Sequence, residues 1–423
     1  MADRAVPADN GRRLGTREFV VLMAALMASN ALAIDSMLPA LPAIGEALAV
    51  AEENRRQLVI TVYLIGFGAA QLAYGPLADR FGRKGLMVLA MILYAGFGLL
   101  AGLASSFELL LGARFLQGVA AAASRVLVVA VVRDRYQGSA MAQIMSVTMI
   151  IFMIVPVLAP TFGQAVLAVG SWRHIFLALG AYGSLLAIWV VMRLPETLAP
   201  EHRRALSLSA IGEATWLTLS HRQSIGNTIC QTLLMGALFS FINSIQQIVF
   251  DVFQRPALIG LVFACIAGPM TLSSYANSRL VMRYGSRRLL LTALPVFTAF
   301  ALLHLGLAAS FGELFWTFAV LQAATMSLFG LIGANAGALA MEPLGHVAGT
   351  ASSVQGTITT IGGALIGFAV GQQFDGTTLP FLTGFTLCGA GALLVAHWAN
   401  RPPSGDTHNR EREEVQQTIS RPA

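Results

Sequence analysis

Twelve stretches of about 20 mostly apolar residues divide this chain, and they constrain its fold more than any other feature. A helix of that length rises ~30 Å, the thickness of the hydrocarbon core of a membrane. With 56% hydrophobic and 11% charged residues, a chain of 423 residues has too few charges to cover a soluble surface. The sequence therefore predicts an all-α membrane protein with transmembrane helices at 19–41, 57–78, 85–105, 108–131, 140–166, 173–194, 224–248, 257–280, 288–309, 312–340, 347–370 and 378–399.

The basic residues predict the orientation of these spans. Of the 27 Lys and Arg residues, 21 fall on the side of the N-terminus, the even-to-odd loops and the tail, four fall on the other side and two lie within span four. This asymmetry predicts that both termini are cytoplasmic, in a multi-pass protein of the cell inner (cytoplasmic) membrane. The first 18 residues are polar, so we expect no cleavable signal peptide. The net charge of +6 then reflects topology and does not indicate nucleic-acid binding.

A long polar stretch separates six spans from six spans and suggests two bundles. The loop LADRFGRK after span two and the loop LVMRYGSR after span eight share Leu, Arg, an aromatic, Gly and a final base at the same spacing, and FELLLGARFLQ in span four is similar to FGELFWTFAVLQ in span ten. Such a repeat is typical of transporters with a site between the repeats. We expect a cytoplasmic N-terminal segment 1–18, a six-helix bundle 19–194, a linker 195–223 with an amphipathic helix at the membrane surface, a second bundle 224–400 and a disordered cytoplasmic tail 401–423.

Several motifs resemble those of a known family. GPLADRFGRK at Gly75–Lys84 resembles the signature loop of the major facilitator superfamily, ARFLQGVAAAASR resembles its span-four motif, and VPVLAPTFGQ resembles its antiporter motif. Together with LPALP, VRDRY and LPETL, the pattern is similar to the bicyclomycin and chloramphenicol resistance (Bcr/CflA) branch of drug:proton antiporters. The resemblance implies two pseudo-symmetric bundles and a secondary active transporter that exports a small drug-like molecule in exchange for protons by alternating access.

The antiporter-motif helix, span five, contains Pro156, Pro160 and Gly163. Two prolines four residues apart remove two helix hydrogen bonds and predict a bend, either as a flexible seam that seals the cavity or as a packing kink. The motif departs from the usual family form, because Ala159 precedes Pro160 and Gln164 follows Gly163.

Asp35 is a carboxylate among apolar residues in the segment SNALAIDSMLPALP of span one. An isolated charge in hydrocarbon costs ~3 kcal/mol or more, so a partner or a function must offset it. Asp35 and Arg114 in span four both lie ~10 Å below the outer surface by residue count, so they can meet. We interpret Asp35 as a proton carrier whose ionised form Arg114 stabilises; the alternative is a permanently ionised structural pair.

A polar face follows Arg114 along span four and contains Gln117, Ser124 and Arg125. Eleven residues of helix turn through about 1,100°, so Arg125 returns to within roughly 20° of Arg114. Such a face predicts an orientation toward a bundle interior or a water-filled cavity. Arg125 has no acidic partner at its depth in span one, which leaves backbone carbonyls, water or substrate as its contacts.

The signature loop predicts a cytoplasmic gate. In the family that it resembles, the acid of this loop, here Asp79, caps span eleven, and the basic residues pair with an acid after span four, here Asp134. A carboxylate at a helix N-terminus contributes ~0.3–1 kcal/mol, so the contact can hold an outward-open state and still release it. The alternative is that the bases only anchor the topology. The predicted gate comprises Gly75, Asp79, Arg80, Gly82, Arg83, Lys84 and Asp134.

A wall of aromatic and amide side chains is the candidate substrate contact. It comprises Tyr63, Phe67 and Gln71 in span two and Phe239, Asn243, Gln246 and Gln247 in span seven. This composition suits an uncharged or weakly polar small molecule. Each residue is also explained by helix packing or by the aromatic belt at the membrane surface.

Other functional classes are less well supported. The chain has no intramembrane nucleophile–base set, metal cluster or phosphate loop, and its three cysteines lie in apolar runs. We therefore expect no enzyme activity, no cofactor and no metal. The predicted partners are a small-molecule substrate, protons and the lipid bilayer, with a functional monomer. The alternatives are a proton-coupled exporter or importer of a small metabolite, or a scaffold or receptor that has lost transport, against which the presence of Asp35, Arg114 and Asp79 argues.

Overall fold

The computed structural model describes residues 14–203 and 208–401, and every regular element in these residues is a helix. Most of the predicted N-terminal segment 1–18, part of the linker and nearly all of the tail 401–423 lie outside the described residues. The α-helices are α1 Thr16–Asp35, α2 Leu41–Ala47, α3 Leu58–Phe81, α4 Arg83–Gly102, α5 Phe107–Arg135, α6 Gly138–Val169, α7 Trp172–Arg193, α8 Leu208–Ser220, α9 Arg222–Gln247, α10 Ile259–Tyr284, α11 Ser286–Phe311, α12 Phe315–Met326, α13 Phe329–Met341, α14 Ala348–Gly371 and α15 Leu379–Ala399.

Eleven helical segments in the described residues are long and apolar enough to cross a membrane. The helix α6, Gly138–Val169, contains the further apolar segment Ile154–Val169, and with it the chain has the twelve predicted spans. Span one is formed by α1 and α2, and span ten by α12 and α13. The helix α8 lies in the predicted linker.

Span one is longer than the predicted 19–41, because the chain continues as helix beyond a break. α1 ends at Asp35, a short 3-10 segment covers Leu38–Ala40, and α2 carries the apolar segment on to Ala47. Pro39 interrupts the helix because proline has no N–H to donate. Asp35 therefore lies twelve residues before the end of the span, which is ~18 Å of helix rather than the predicted ~10 Å.

Close helix contacts define the first bundle and its junction with the second. α3 and α5 cross where a Cβ at Gly118 would collide with the backbone carbonyl of Tyr63, so only glycine permits this approach. The two bundles meet where α3 packs against α14 and where α6 packs against α10. The space between the bundles is therefore bounded by these two helix pairs.

Candidate transport site

A cavity of about 1010 Å³ opens between the bundles at the end of the molecule that carries Arg80, Lys84 and Arg133, which we call the basic end. Its walls come from α3, α5, the segment after α7 and the start of α14. This volume is large enough for a drug-sized molecule. The residues that line it include Gln71, Gly75, Asp79, Arg83, Arg125, Arg133, Asp134, Ser353 and Gly356.

Uncharged amides join the bundles at the opposite end. Gln57 Nε2 donates to Gln247 Oε1 at 2.7 Å and to the Gly371 carbonyl at 3.1 Å. Gln247 Nε2 donates to Asn54 Oδ1 at 2.7 Å, and Gln372 Nε2 donates to the Asn54 carbonyl at 2.7 Å. We call Asn54, Gln57, Gln247 and Gln372 the amide clasp. These hydrogen bonds connect the start of α3 and the end of α9 with the end of α14, and they close that end of the molecule.

The contact between α3 and α14 continues from the amide clasp toward the cavity. Thr357 donates its hydroxyl to the Gly68 carbonyl at 2.9 Å, and Gln71 Nε2 donates to Thr360 Oγ1 at 3.1 Å. Beyond Gln71 the helices no longer seal the space, since Gln71, Gly75 and Ser353 all line the cavity. The structure is thus closed at the opposite end and open at the basic end.

Asp35 is 4% exposed, and within the described residues its carboxylate has no hydrogen bond or ion pair. It ends α1 at the break of span one. The next residue touches α6, because a Cβ at Gly163 would collide with the Ser36 carbonyl oxygen and lie 2.9 Å from Pro39 Cγ. The backbone directly after Asp35 therefore packs against the antiporter-motif helix.

Arg114 is fully buried and is held by neutral groups. Its Nε donates to the Val59 carbonyl at 3.1 Å, Nη1 to Gln117 Oε1 at 2.8 Å and Nη2 to the Ala33 carbonyl at 2.9 Å. The guanidinium also lies 4.3 Å from the centre of the Tyr63 ring. The predicted ion pair with Asp35 is absent from this structure. Arg114 instead holds the turn of α1 that precedes Asp35, and joins α1, α3 and α5.

The predicted polar face of α5 divides into a buried part and an open part. Gln117 and Ser124 are fully buried, and Ser124 contacts Ser29 of α1 through a 3.4 Å hydroxyl hydrogen bond. Arg125 is exposed and lines the cavity. The face therefore begins inside the first bundle and ends in the space between the bundles.

An ionic cluster of the predicted gate residues lies at the basic end. Arg83 is 3% exposed, and its guanidinium lies 2.8 Å from Asp79 Oδ1 and 3.2 Å from Asp134 Oδ2. Thr197 donates its hydroxyl to the same Asp134 oxygen at 3.0 Å. Arg83 thus links the end of α3, the end of α5 and the segment after α7. Arg80 lies over the Phe81 ring at 5.3 Å and is outside this cluster.

Glu196 belongs to the cluster and was missed by the sequence analysis. Its carboxylate accepts the backbone N–H groups of Arg83 at 2.9 Å and Lys84 at 3.1 Å, so it caps the start of α4. A negative group at a helix N-terminus is stabilising. The only signal was an acid in LPETL directly after a span, because the sequence does not say which helix start it faces.

The predicted contact between Asp79 and span eleven is absent from this structure. α14 begins after Val347, with no side chain capping its first turn. Asp79 and the start of α14 line the same cavity, and at Gly75, one turn before Asp79, a Cβ would lie 3.6 Å from Ser353 Oγ. In the described residues no hydrogen bond or ion pair joins Asp79 to α14, although α3 and α14 still approach each other at Gly75.

The antiporter-motif helix lies at the junction of the bundles. Pro156 and Pro160 are both inside α6, which is helical from Gly138 to Val169. On its other side α6 meets α10, where a Cβ at Gly260 would collide with Thr161 Oγ1. α6 therefore connects the break of span one with the second bundle.

Most of the predicted substrate wall lies away from the open cavity. Of its seven residues, only Gln71 lines the cavity, and Gln247 belongs to the amide clasp. Tyr63 packs beneath Arg114 and stacks on Phe67. Asn243 is 1% exposed, and neither end of its amide has a partner in the described residues. The remaining two, Phe239 and Gln246, are buried in α9.

Comparison with known proteins places this arrangement in a family. The sequence profile of the Major Facilitator Superfamily matches residues 23–366 and, in a second match, residues 228–422. A bicyclomycin resistance protein homolog of Haemophilus influenzae is 29% identical over 388 residues, which cover 90% of this chain and 95% of that protein. The multidrug resistance protein MdtL of Salmonella heidelberg is 28% identical over 360 residues, covering 82% and 87%.

The fold matches solved transporters of low sequence identity. The inward-facing, occupied crystal structure of a bacterial homolog of the human lysosomal transporter Spinster superimposes with a TM-score of 0.69, at 12% identity, over 92% of this chain and 97% of that chain. At this identity the likeness concerns the fold alone, and it agrees with twelve helices in two bundles.

Proposed function

Because the chain belongs to the Major Facilitator Superfamily, we propose that this membrane transporter exports a small drug-like molecule in exchange for protons. It is not an enzyme. In this proposal it is an inner-membrane monomer whose basic end and both termini face the cytoplasm, which the distribution of basic residues supports. Its bundles are 19–194 and 224–400, joined by the linker 195–223, with a cytoplasmic tail at 401–423.

Alternating access follows from the two ends of the junction between the bundles. The open cavity at the basic end admits substrate from the cytoplasm, while the amide clasp closes the periplasmic side. In the outward-open state the amide clasp separates, and Asp79 approaches the first turn of α14, whose N–H groups have no side-chain cap here. The absence of charge from the amide clasp supports this exchange, because parting neutral amides leaves no unpaired ion.

The observation that carries the proposal is the buried Asp35 carboxylate, which has no partner in the part of the chain that the structure describes. An ionised carboxylate held there would be costly, so the site accommodates the protonated group better. When substrate enters from the cytoplasm, the protonated Asp35 carboxyl group releases its proton into the cavity. When the site opens outward, the carboxylate takes a proton from the periplasm and substrate leaves. Arg114, bonded two residues away at the Ala33 carbonyl, is placed to stabilise the ionised form after a small shift of this turn.

Transport in everted membrane vesicles tests the proposal. A panel of antibiotics is supplied outside the vesicles with an imposed pH gradient, and accumulation is compared with and without an uncoupler. We expect at least one compound to accumulate only while the gradient is present. Accumulation that is the same with and without the pH gradient would exclude proton coupling. If no compound accumulates, drug export is contradicted.

A further inference from the structure

Arg125 is a charged side chain without a partner in the described part of the protein. It is exposed to the cavity, and no hydrogen bond or ion pair involves its guanidinium. The other arginines of this region are held: Arg114 by three hydrogen bonds, Arg83 by two carboxylates and Arg135 by the Leu14 carbonyl at 2.9 Å. Arg125 alone among these four has no hydrogen bond or ion pair in the described residues.

Arg125 lies within the apolar, membrane-spanning part of α5. It precedes the end of α5 at Arg135 by ten residues, or ~15 Å of helix. A charge at such depth is costly unless water or a counter-charge reaches it. The cavity admits water, but the described residues supply no acid to Arg125. A charged side chain that is costly to place in the membrane, and that has no counter-charge in the described residues, is typical of a ligand-binding site.

The charges of the cavity wall favour an anion. Arg83 lies between Asp79 and Asp134, and these three residues together carry one net negative charge. Of the remaining charged residues in the lining, three are basic and one is acidic, and none has a partner in the described residues. These are Arg125, Arg133, Arg203 and Glu201. The lining as a whole has four basic and three acidic residues. Arg125 is farther from the cavity mouth along α5 than Arg133, so an anion that enters would reach Arg125 after Arg133.

We propose that Arg125 binds a negatively charged group of the substrate, a carboxylate, sulfonate or phosphate, in the cavity open at the basic end. A guanidinium has five donors in a fixed plane and pairs with such groups through two parallel hydrogen bonds. The uncharged part of the substrate then lies toward the closed contact of Gln71 with α14. This inference rests on the proposed transport function and names the substrate class, which the aromatic and amide pattern of the sequence predicted to be uncharged or weakly polar.

Binding to the purified protein in lipid nanodiscs tests the site without transport. The probes are nalidixic, naphthoic and naphthalenesulfonic acids, each paired with its uncharged primary amide, titrated at pH 8 against the intrinsic tryptophan fluorescence. We expect each acid to bind more tightly than its amide. In Arg125→Gln the acids should bind about 10- to 100-fold more weakly, as for loss of a hydrogen bond between charged groups, while the amides are unchanged.

Two further variants separate binding from general charge. Arg125→Lys keeps the charge without the planar fork, so we expect an intermediate affinity. Arg133→Gln removes the same charge from the same helix and cavity two turns nearer the mouth, and we expect less than about a threefold loss. All three variants should melt at the wild-type temperature, since neither Arg125 nor Arg133 has a side-chain hydrogen bond or ion pair in the described residues.

The outcomes are distinct. Equal affinity for acids and amides, no binding of any acid, or an acid affinity untouched by Arg125→Gln would overturn the anion site. If the acids bind through Arg125 but vesicles export nothing, the proposed transport function is contradicted and the proposed anion site is retained. If vesicles export only uncharged compounds, equally in wild type and Arg125→Gln, the proposed transport function is retained and the proposed anion site is contradicted.

Discussion

Gly82 in the first bundle and Gly285 in the second each end one helix and begin the next, with φ angles of 94° and 75°. Such positive φ values are readily adopted only by glycine. In both turns an arginine lies over the ring of the following aromatic residue, Arg80 and Arg283 each at 5.3 Å. The repeat predicted from the two loop sequences is thus a repeat of backbone and packing.

The charges of the two turns differ. Asp79 pairs with Arg83 in the first bundle. Its counterpart in the second is Met282, which is 86% exposed, and the counterpart of Arg83 is Ser286. The shared turn therefore needs neither the acid nor its arginine. The ionic cluster is an addition to the first bundle. We therefore expect it to serve the function of the protein and not the folding of the turn.

The bundle interiors differ in the same way. Gln117 and Gln322 end the matching segments of spans four and ten, and three residues before them stand Arg114 and Ala319. Gln117 accepts from Arg114, whereas both ends of the Gln322 amide have no partner in the described residues. The intramembrane charges of the proposed mechanism all lie in the first bundle. In the proposed function we therefore expect the coupling chemistry in the first bundle, with the second bundle as the surface against which it moves.

The largest effect is expected for Asp35→Asn, the strongest test that the first bundle carries the coupling. Asparagine matches the shape of a protonated aspartate but cannot ionise, so we expect gradient-driven efflux to be abolished. Because Arg114 bonds to neutral acceptors and not to Asp35 here, the variant should keep its melting temperature in detergent. Asp35→Glu should retain part of the activity.

Full gradient-driven efflux by a stable Asp35→Asn protein would exclude the carrier role. A large fall in melting temperature would instead favour a structural ion pair, since removing one member of a buried pair costs ~3–5 kcal/mol. Efflux and melting temperature are measured on the same preparation.

A smaller effect is expected from Asp79→Asn, which compares the two turns directly. Asp134 still holds Arg83 in this variant, so expression should be normal. The outward-open state would lose the attraction between Asp79 and the first turn of α14, and we expect vesicle transport to fall about two- to fivefold. Met282→Asn is the matched control, and its transport should equal wild type. Equal loss in both variants would mean that the charge has no special role at the gate.

The sequence predicts features that depend on local residue type, and it does not predict those that depend on which distant segments meet. Length and hydropathy suffice for the spans, but the depth of Asp35 depended on where span one ends, and Pro39 let the helix resume rather than stop. The meeting of Asp35 with Arg114 was inferred from depth, which says nothing about the face of α1. Glu196 and Gln57 were missed because their roles depend on which distant segments meet, and local residue type does not encode that.

Arg114→Lys sharpens the comparison inside the first bundle. Lysine offers one compact ammonium in place of a planar fork, so it cannot reach the carbonyls of Val59 and Ala33 and the Gln117 amide together. Loss of one or two of these buried hydrogen bonds should cost ~1–3 kcal/mol and lower both melting temperature and transport. Arg125→Lys is the control on the same helix, with unchanged melting temperature. An Arg114→Lys protein as stable and active as wild type would show that charge alone is needed.

The smallest effects, and the closest comparison of the bundles, come from Gln117→Met and Gln322→Met. Methionine fills nearly the volume of glutamine without its polar atoms, so packing is kept and only hydrogen bonding changes. At Gln117 the change leaves Arg114 Nη1 buried without its acceptor, and we expect a destabilisation of ~1–3 kcal/mol. At Gln322 it removes an amide that is 1% exposed and unpartnered in the described residues, so the melting temperature should stay the same or rise. Thermal unfolding of the two variants beside wild type measures the difference. Equal destabilisation of the two variants would mean that the Gln322 amide has a hydrogen-bond partner in another conformational state. The two bundles would then differ in their buried charges but not in the hydrogen bonding of these two glutamines.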